Sequence, residues 1–331
     1  MKISNFLRLC AVVAGAFFIP TPLPAAANTW IGRYALTIPG GAAGWLGVAE
    51  NNGHLTGSLL WGGGSVEPVN GVRVEGDKLI VTRIQESKGK EGKKHQTIET
   101  ITATHNGKGL ELVTVKRGDN GREFDRATFT GKRIPPVPPA PDLSKVKFGK
   151  PITLFNGKDL TGWEVIGHNP SGWHVENGIM VNSAPQEPGK HKSYANIRTK
   201  REFEDFNLVV EVRVPHDGNS GVYLRGIYEV QVLDSFGKPL DPHNMGAIYG
   251  RICPTVAAEK PAGEWQTMDI TLVDRHVTVI LNGKKIINNQ PLLGCTGGAL
   301  WSDEFRPGPI YLQGDHTSVD YRRLVLRPVV R

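Results

Sequence analysis

The residues best equipped for chemistry stand at alternate positions in three apolar runs: Glu211 with Arg213, Tyr223 with Arg225, and Glu229 with Gln231. Between them lie Val210, Val212, Val214, Val222, Leu224, Val230 and Val232. A β-strand turns successive side chains to opposite faces, so the valines and leucines belong to a core and the polar set shares the other face. Carboxylate, guanidinium, amide and phenol together suit a ligand rich in hydroxyls. Arginine forks onto paired oxygens, carboxylates accept from hydroxyls, and a ring covers an apolar face. Gln313, Asp315 and His316 stand at the end of a later strand and are expected to join this face. The same alternation also describes a plain solvent-facing sheet with cross-strand ion pairs.

Other catalytic patterns are missing. No HExxH or GxSxG motif occurs, and Gly62-Gly63-Gly64 is followed by neither a helix nor the Lys-Ser/Thr of a phosphate loop. His243, His276 and His316 are far apart in sequence, so no metal-ligand spacing is present. No cofactor is expected, a divalent cation being the one addition the chemistry would tolerate.

These residues sit in an all-β chain. From Thr29 to Arg133, strands are expected to begin near Trp30, Gly44, His54, Val66, Lys78, His95, Gly109 and Arg122. Asn51-Asn52-Gly53, Glu75-Gly76-Asp77, Asn106-Gly107 and Asp119-Asn120-Gly121 separate them, and these residues tolerate the left-handed backbone of hairpin turns. The pattern predicts a small antiparallel up-and-down barrel or sandwich over residues 28–134. Five prolines within Ile134–Pro141 predict a stiff, extended linker over 135–142. Residues 143–331 are strand-rich again, with Asn282-Gly283 as a hairpin turn, and predict a two-sheet sandwich of jelly-roll type.

Residues 1–27 have the order of a secretory signal peptide: Lys2 and Arg8, an apolar run from Leu9 to Ile19, then Ala25-Ala26-Ala27. The run is too short to span a bilayer, which takes about 20 residues. A periplasmic or secreted protein without a membrane span is expected. The remaining cysteines, Cys253 and Cys295, are then either a disulfide or two buried thiols. The net charge of +7 does not point to nucleic acid: residues 28–134 hold 15 basic and 11 acidic side chains, and the rest of the chain after them 22 and 21. The Lys88, Lys90, Lys93, Lys94 cluster falls in a Gly-containing turn and reads as a solvated hairpin tip.

The second half resembles the 3-keto-disaccharide hydrolase domain family from about Phe155 to Pro328. The segments that carry the resemblance occur in order: Leu154-Phe155-Asn156-Gly157-Lys158-Asp159-Leu160-Thr161-Gly162-Trp163, Trp173-His174-Val175-Glu176-Asn177-Gly178, Asp205-Phe206-Asn207-Leu208 through Arg213, Asn219 to Arg225, Tyr228 to Asp234, Gly263-Glu264-Trp265, Leu281-Asn282-Gly283 and Gly308 to Gln313. The resemblance implies a concanavalin-like jelly roll and action on 3-oxo-glycosides, by hydrolysis or by elimination and hydration. It does not cover the first half, which reads as an accessory domain. A ketone at C3 acidifies the C2 hydrogen, so a base, an acid and a donor for developing oxyanion charge are needed. Glu229 is the expected base, with Glu211 second. Arg225 is expected to hold the sugar and its enolate, with Gln231, Gln313, Tyr223 and Arg213 as further binding groups. Asp234 or His316 is the expected acid. The rival classes are a lectin-like carbohydrate-binding module and a scaffold protein.

Overall fold

The structure is a computed structural model that describes residues 29–88, 94–107, 109–187 and 189–330. The proposed signal segment lies outside the described residues, as do Lys90 and Lys93. Among the described residues no helix is long and apolar enough to cross a membrane.

Among the described residues, nine strands build the first half: β1 (Gly32–Thr37), β2 (Ala43–Asn51), β3 (His54–Trp61), β4 (Glu67–Pro68), β5 (Gly71–Glu75), β6 (Lys78–Lys88), β7 (Lys94–His105), β8 (Leu110–Arg117) and β9 (Glu123–Ile134). They form one antiparallel meander in the order β4-β3-β2-β1-β9-β8-β7-β6-β5. Its two ends are consecutive in sequence, and the link between them crosses the seam. Val69 N donates to Gly57 O at 3.0 Å on one side, and Asn70 N to Thr82 O at 2.9 Å on the other. The result is an up-and-down barrel around Tyr34, Leu36, Leu46, Leu79, Ile101 and Leu112. The single strand expected from Val66 is two short ones, because Pro68 has no N–H to continue the ladder and Asn70 turns toward β6.

Thirteen strands build the second half among the described residues: β10 (Ile152–Thr153), β11 (Trp163–Ile166), β12 (Trp173–Glu176), β13 (Ile179–Asn182), β14 (Asn196–Thr199), β15 (Phe206–Arg213), β16 (Asn219–Leu224), β17 (Tyr228–Leu233), β18 (Gln266–Val273), β19 (His276–Leu281), β20 (Lys284–Pro291), β21 (Tyr311–Leu312) and β22 (Val319–Pro328). One sheet runs β12-β13-β22-β15-β18-β19-β20 with β10 beside β22, and the other runs β11-β14-β21-β16-β17. All pairings are antiparallel. Phe206, Leu208, Val210 and Val212 of β15 meet Val222, Leu224, Val230 and Val232 of β16 and β17 in one core. Each such side chain contributes roughly 1.5–3 kcal/mol by leaving water.

Strand β15 alternates buried and half-buried as its sequence predicts, whereas β16 and β17 are buried on both faces. Loops lie over their outer face. Residues 244–252 run along edge strand β17, where Gln231 N donates to Ala247 O at 2.9 Å and Tyr249 N to Glu229 O at 3.1 Å.

The proline-rich linker is not a free spacer. Arg275 Nη2 donates to Pro136 O at 2.7 Å and Asn289 Nδ2 to Pro141 O at 2.9 Å, strapping it to the sandwich. Ala43, Trp45 and Leu60 of the barrel join the sandwich core cluster. The disulfide reading is corrected: both cysteines are free, Cys253 exposed and Cys295 buried. Cys295 sits where barrel meets sandwich, its Sγ 3.9 Å from Gly44 O, and burial pushes its thiol up to about 12.

Candidate functional site

The β16–β17 register decides which polar residues meet. Tyr223 lies opposite Glu229, and Gly221 opposite Gln231. On the other side Tyr223 lies opposite Tyr311 of β21, so Gln313, two residues on, shares that face. Tyr223, Glu229, Gln231 and Gln313, with Asn219, Tyr249, Asp315 and His316, line a hollow of about 150 Å³. Its remaining wall is glycine: Gly297 and Gly298 from a later loop, and Gly63 and Gly64 from the barrel.

Glu229 is the centre of this arrangement. Its residue is 3% exposed. Burial, with the charge of Asp315 adding, pushes its carboxyl up to about 8 against the opposing hydrogen bond from Tyr223. Gly221 leaves the room it occupies, since a Cβ there would overlap the Glu229 carboxylate. Tyr223 OH lies 2.9 Å from Glu229 Oε2 and 2.8 Å from Gly297 O. One hydroxyl proton serves one of these acceptors at a time. An ionised Glu229 takes it. A neutral Glu229 donates its own proton to the phenol oxygen and releases the Tyr223 proton to Gly297. The Tyr223 ring stacks on Tyr311 at 4.3 Å, which fixes the phenol in place.

Asp315 and His316 stand nearer the mouth, with Asp315 Oδ1 2.9 Å from His316 Nδ1. The Asp315 carboxylate raises the His316 imidazole above its ordinary value, against the effect of burial. Gln313 is held through its backbone, N to Gly221 O at 3.0 Å and O from Ser220 Oγ at 2.7 Å. Its side-chain Oε1 is buried without a partner among the described residues. A buried acceptor left open in this way is suited to a hydroxyl donor from a ligand. Gln231 lines the hollow with its Oε1 accepting from Val232 N at 3.1 Å.

Thus Glu229, Gln231, Tyr223, Gln313 and His316 converge, and four expected residues do not. Glu211 lies on β15 in the other sheet, held by Arg322 at 2.6 Å and Arg323 at 3.1 Å. Burial pushes its carboxyl up, but those two arginines outweigh it and hold it below the usual carboxylate range. Arg213, on the same strand, pairs with Asp320 at 2.6 Å and lies over the Trp265 ring at 4.8 Å. Arg225 falls just past the end of β16 with a left-handed φ of 55° and leaves the alternation. Its buried guanidinium donates to Glu304 O at 2.6 Å and Arg306 O at 2.5 Å, so it ties down a loop. Asp234, just past β17, accepts from Asp217 N at 3.0 Å and stands outside the hollow. His216, Asp217 and Asp234 bring ligand atoms within 4.8 Å of one another on the surface. A larger hollow of about 360 Å³ lies between the barrel and Trp301–Phe305, with Asp303 as its one carboxylate.

The sequence reading missed the glycine wall and Tyr249. The glycine pairs were visible as such, but nothing in their spacing ties residues 63–64 to 297–298.

The chain is similar to several solved structures and matches one family model. A crystal structure from Parabacteroides distasonis ATCC 8503, of a protein provisionally described as a glycosyl hydrolase, is 30% identical over 60% of this chain and 94% of its own, with a TM-score of 0.44. A second from the same organism, described in the same way, is 23% identical over 54% and 94%, with a TM-score of 0.43. A carbohydrate-binding module, CBM66 from Bacillus subtilis, is 11% identical over 49% and 93%, with a TM-score of 0.30. No curated protein matches. The family model for the 3-keto-alpha-glucoside-1,2-lyase-like domain matches residues 150–327. That span holds the strands of the sandwich, all but the last residue of β22, and all of the hollow except the barrel's two glycines, and the chain belongs to the 3-keto-alpha-glucoside-1,2-lyase-like domain family.

Proposed function

We propose that this carbohydrate-active protein cleaves 3-oxo-glycosides by elimination followed by hydration, with Glu229 as the base. The observation that carries the reading is a carboxyl group with a proton affinity near neutrality, buried at the floor of a hollow lined by amides, phenol and imidazole. A general base works best when its affinity for protons lies near the working pH.

In the proposed reaction Glu229 takes the C2 proton, which the C3 ketone has acidified. The C2–H electron pair forms the C1=C2 bond, and the C1–O bond breaks. His316, held by Asp315, gives the leaving oxygen its proton. Water then adds across C1=C2, with OH going to C1 and H to C2, so the net change is hydrolysis. Gln313 and Gln231 are placed to fix sugar hydroxyls, and Tyr223 moves its single proton as Glu229 changes charge.

A 3-oxo-disaccharide in D2O tests this. Release of the second sugar with deuterium at C2 of the product is the expected result. Release without deuterium refutes the elimination route, and binding without release makes the protein a lectin. Glu229→Gln should lower turnover by about 10²-fold or more with the fold intact. Export is part of the proposal and rests on residues 1–27: a mature N-terminus immediately after Ala27 in the extracytoplasmic fraction is the expected finding.

A further inference from the structure

We propose that the Gly62–Ser65 loop of the N-terminal barrel is the outer wall of the hollow and selects what a sugar carries beyond its first ring. The inference rests on the carbohydrate reading above. The family match begins at residue 150, so this loop lies outside the family domain. It nevertheless lines the hollow beside Glu229 through Gly63 and Gly64.

Three contacts seat the loop. Gly298 N donates to Gly62 O at 3.2 Å. Gly64 packs its backbone directly on Gly297, where any Cβ would overlap the Gly64 carbonyl oxygen. Ser65 Oγ lies 2.7 Å from His243 Nε2, and His243 Nδ1 lies 2.6 Å from Asp241 Oδ1. Gly297 also supplies the carbonyl that Tyr223 OH reaches at 2.8 Å. One residue therefore touches both the barrel loop and the Tyr223–Glu229 pair.

Depth separates the roles. Tyr223, Glu229 and Gln231 are buried at the floor, whereas Gly63 and Gly64 are exposed at the rim. A hollow of about 150 Å³ is small beside pockets of roughly 300–1,000 Å³ that enclose drug-sized ligands, so it takes about one sugar ring. Whatever else the substrate carries must cross the rim. No heavy atom stands within 4 Å of a Cβ built on Gly63 or Gly64, so that space is open. Gly62 and Gly64 hold left-handed φ of 82° and 74°, and Gly63 does not. Gly63 is therefore the rim position that accepts a side chain without backbone strain.

The test uses the full-length protein with Gly63→Ala, Gly63→Leu and Gly63→Trp, assayed on a methyl 3-oxo-glucoside and on a 3-oxo-disaccharide. The expected result is a graded fall in kcat/KM for the disaccharide, reaching about tenfold or more for Gly63→Trp and carried mainly by KM, with a clearly smaller fall for the methyl glycoside. An unchanged melting temperature shows that the fold is kept. Equal loss on both substrates, or no loss on either, overturns the proposal while leaving the function reading intact. A parent protein that neither cleaves nor binds either saccharide by calorimetry overturns both.

Discussion

Glu229 should make the protein less stable as the pH rises, and Glu229→Gln should remove that dependence. The folded-state carboxyl is pushed from an ordinary 4.5 up to about 8, chiefly by burial. Between those values the folded chain holds a proton that the unfolded chain has lost, so stability falls as pH rises. The favourable contribution is complete below about pH 4.5 and is lost as pH climbs through about 8. At about 1.4 kcal/mol for each tenfold change in proton affinity, holding the carboxylate ionised costs the fold about 3–5 kcal/mol. Glutamine keeps the shape and cannot ionise. Urea unfolding of parent and variant at pH 5 and pH 9 is the assay. Near-equal stability at pH 5 is expected, with the variant ahead by about 3–5 kcal/mol at pH 9. The gap should appear with no substrate present. A gap of the same size at both pH values, or none at either, refutes the claim that burial of this carboxyl sets its proton affinity. Loss of turnover in the more stable variant would then mark Glu229 as a group kept for function at the expense of stability.

The neighbours of Glu229 should move its titration in opposite senses. Tyr223→Phe removes the hydrogen bond that lowers the carboxyl's affinity for protons, so the rising limb of kcat/KM against pH should shift upward, by about one pH unit for a bond of roughly 1.5 kcal/mol. Asp315→Asn removes a charge that raises it, so the same limb should shift downward, and a shift in the other sense rejects the assigned coupling. Arg225→Met should cost about 3 kcal/mol in unfolding free energy by stranding the Glu304 and Arg306 carbonyls, whereas Glu211→Gln should leave kcat within about twofold. With the protein native, a thiol reagent should modify Cys253 promptly and reach Cys295 only on denaturation; prompt modification of both would place Cys295 outside the barrel–sandwich contact.

Local pattern was enough for much of this molecule. Alternation in Phe206–Val214 and Tyr228–Leu233, with the glycine-bearing turns between runs, set the strands, because side-chain direction in a strand has a fixed period of two. It also put Tyr223, Glu229 and Gln231 on one polar face. What it left undecided was whether that face meets water or protein, since a strand's outward row reads the same in both cases. Loops distant in sequence decided it: Tyr249, Gly297-Gly298 and the barrel's Gly63-Gly64 wall in the hollow over this row, and Glu229 is buried at its floor. The same limit explains the four residues that fell away. Glu211 and Arg213 share the period of the site strands but belong to the opposite sheet, and sheet membership is a long-range choice. Arg225 sits just past a strand end, where a left-handed φ redirects its side chain, and Asp234, just past the next strand, has the parity of the core-facing Val230 and Val232. Composition and period thus fixed which residues are polar and outward. Only the tertiary structure fixed which of them are shut away from solvent, and desolvation is what turns an ordinary glutamate into one that exchanges protons near neutral pH.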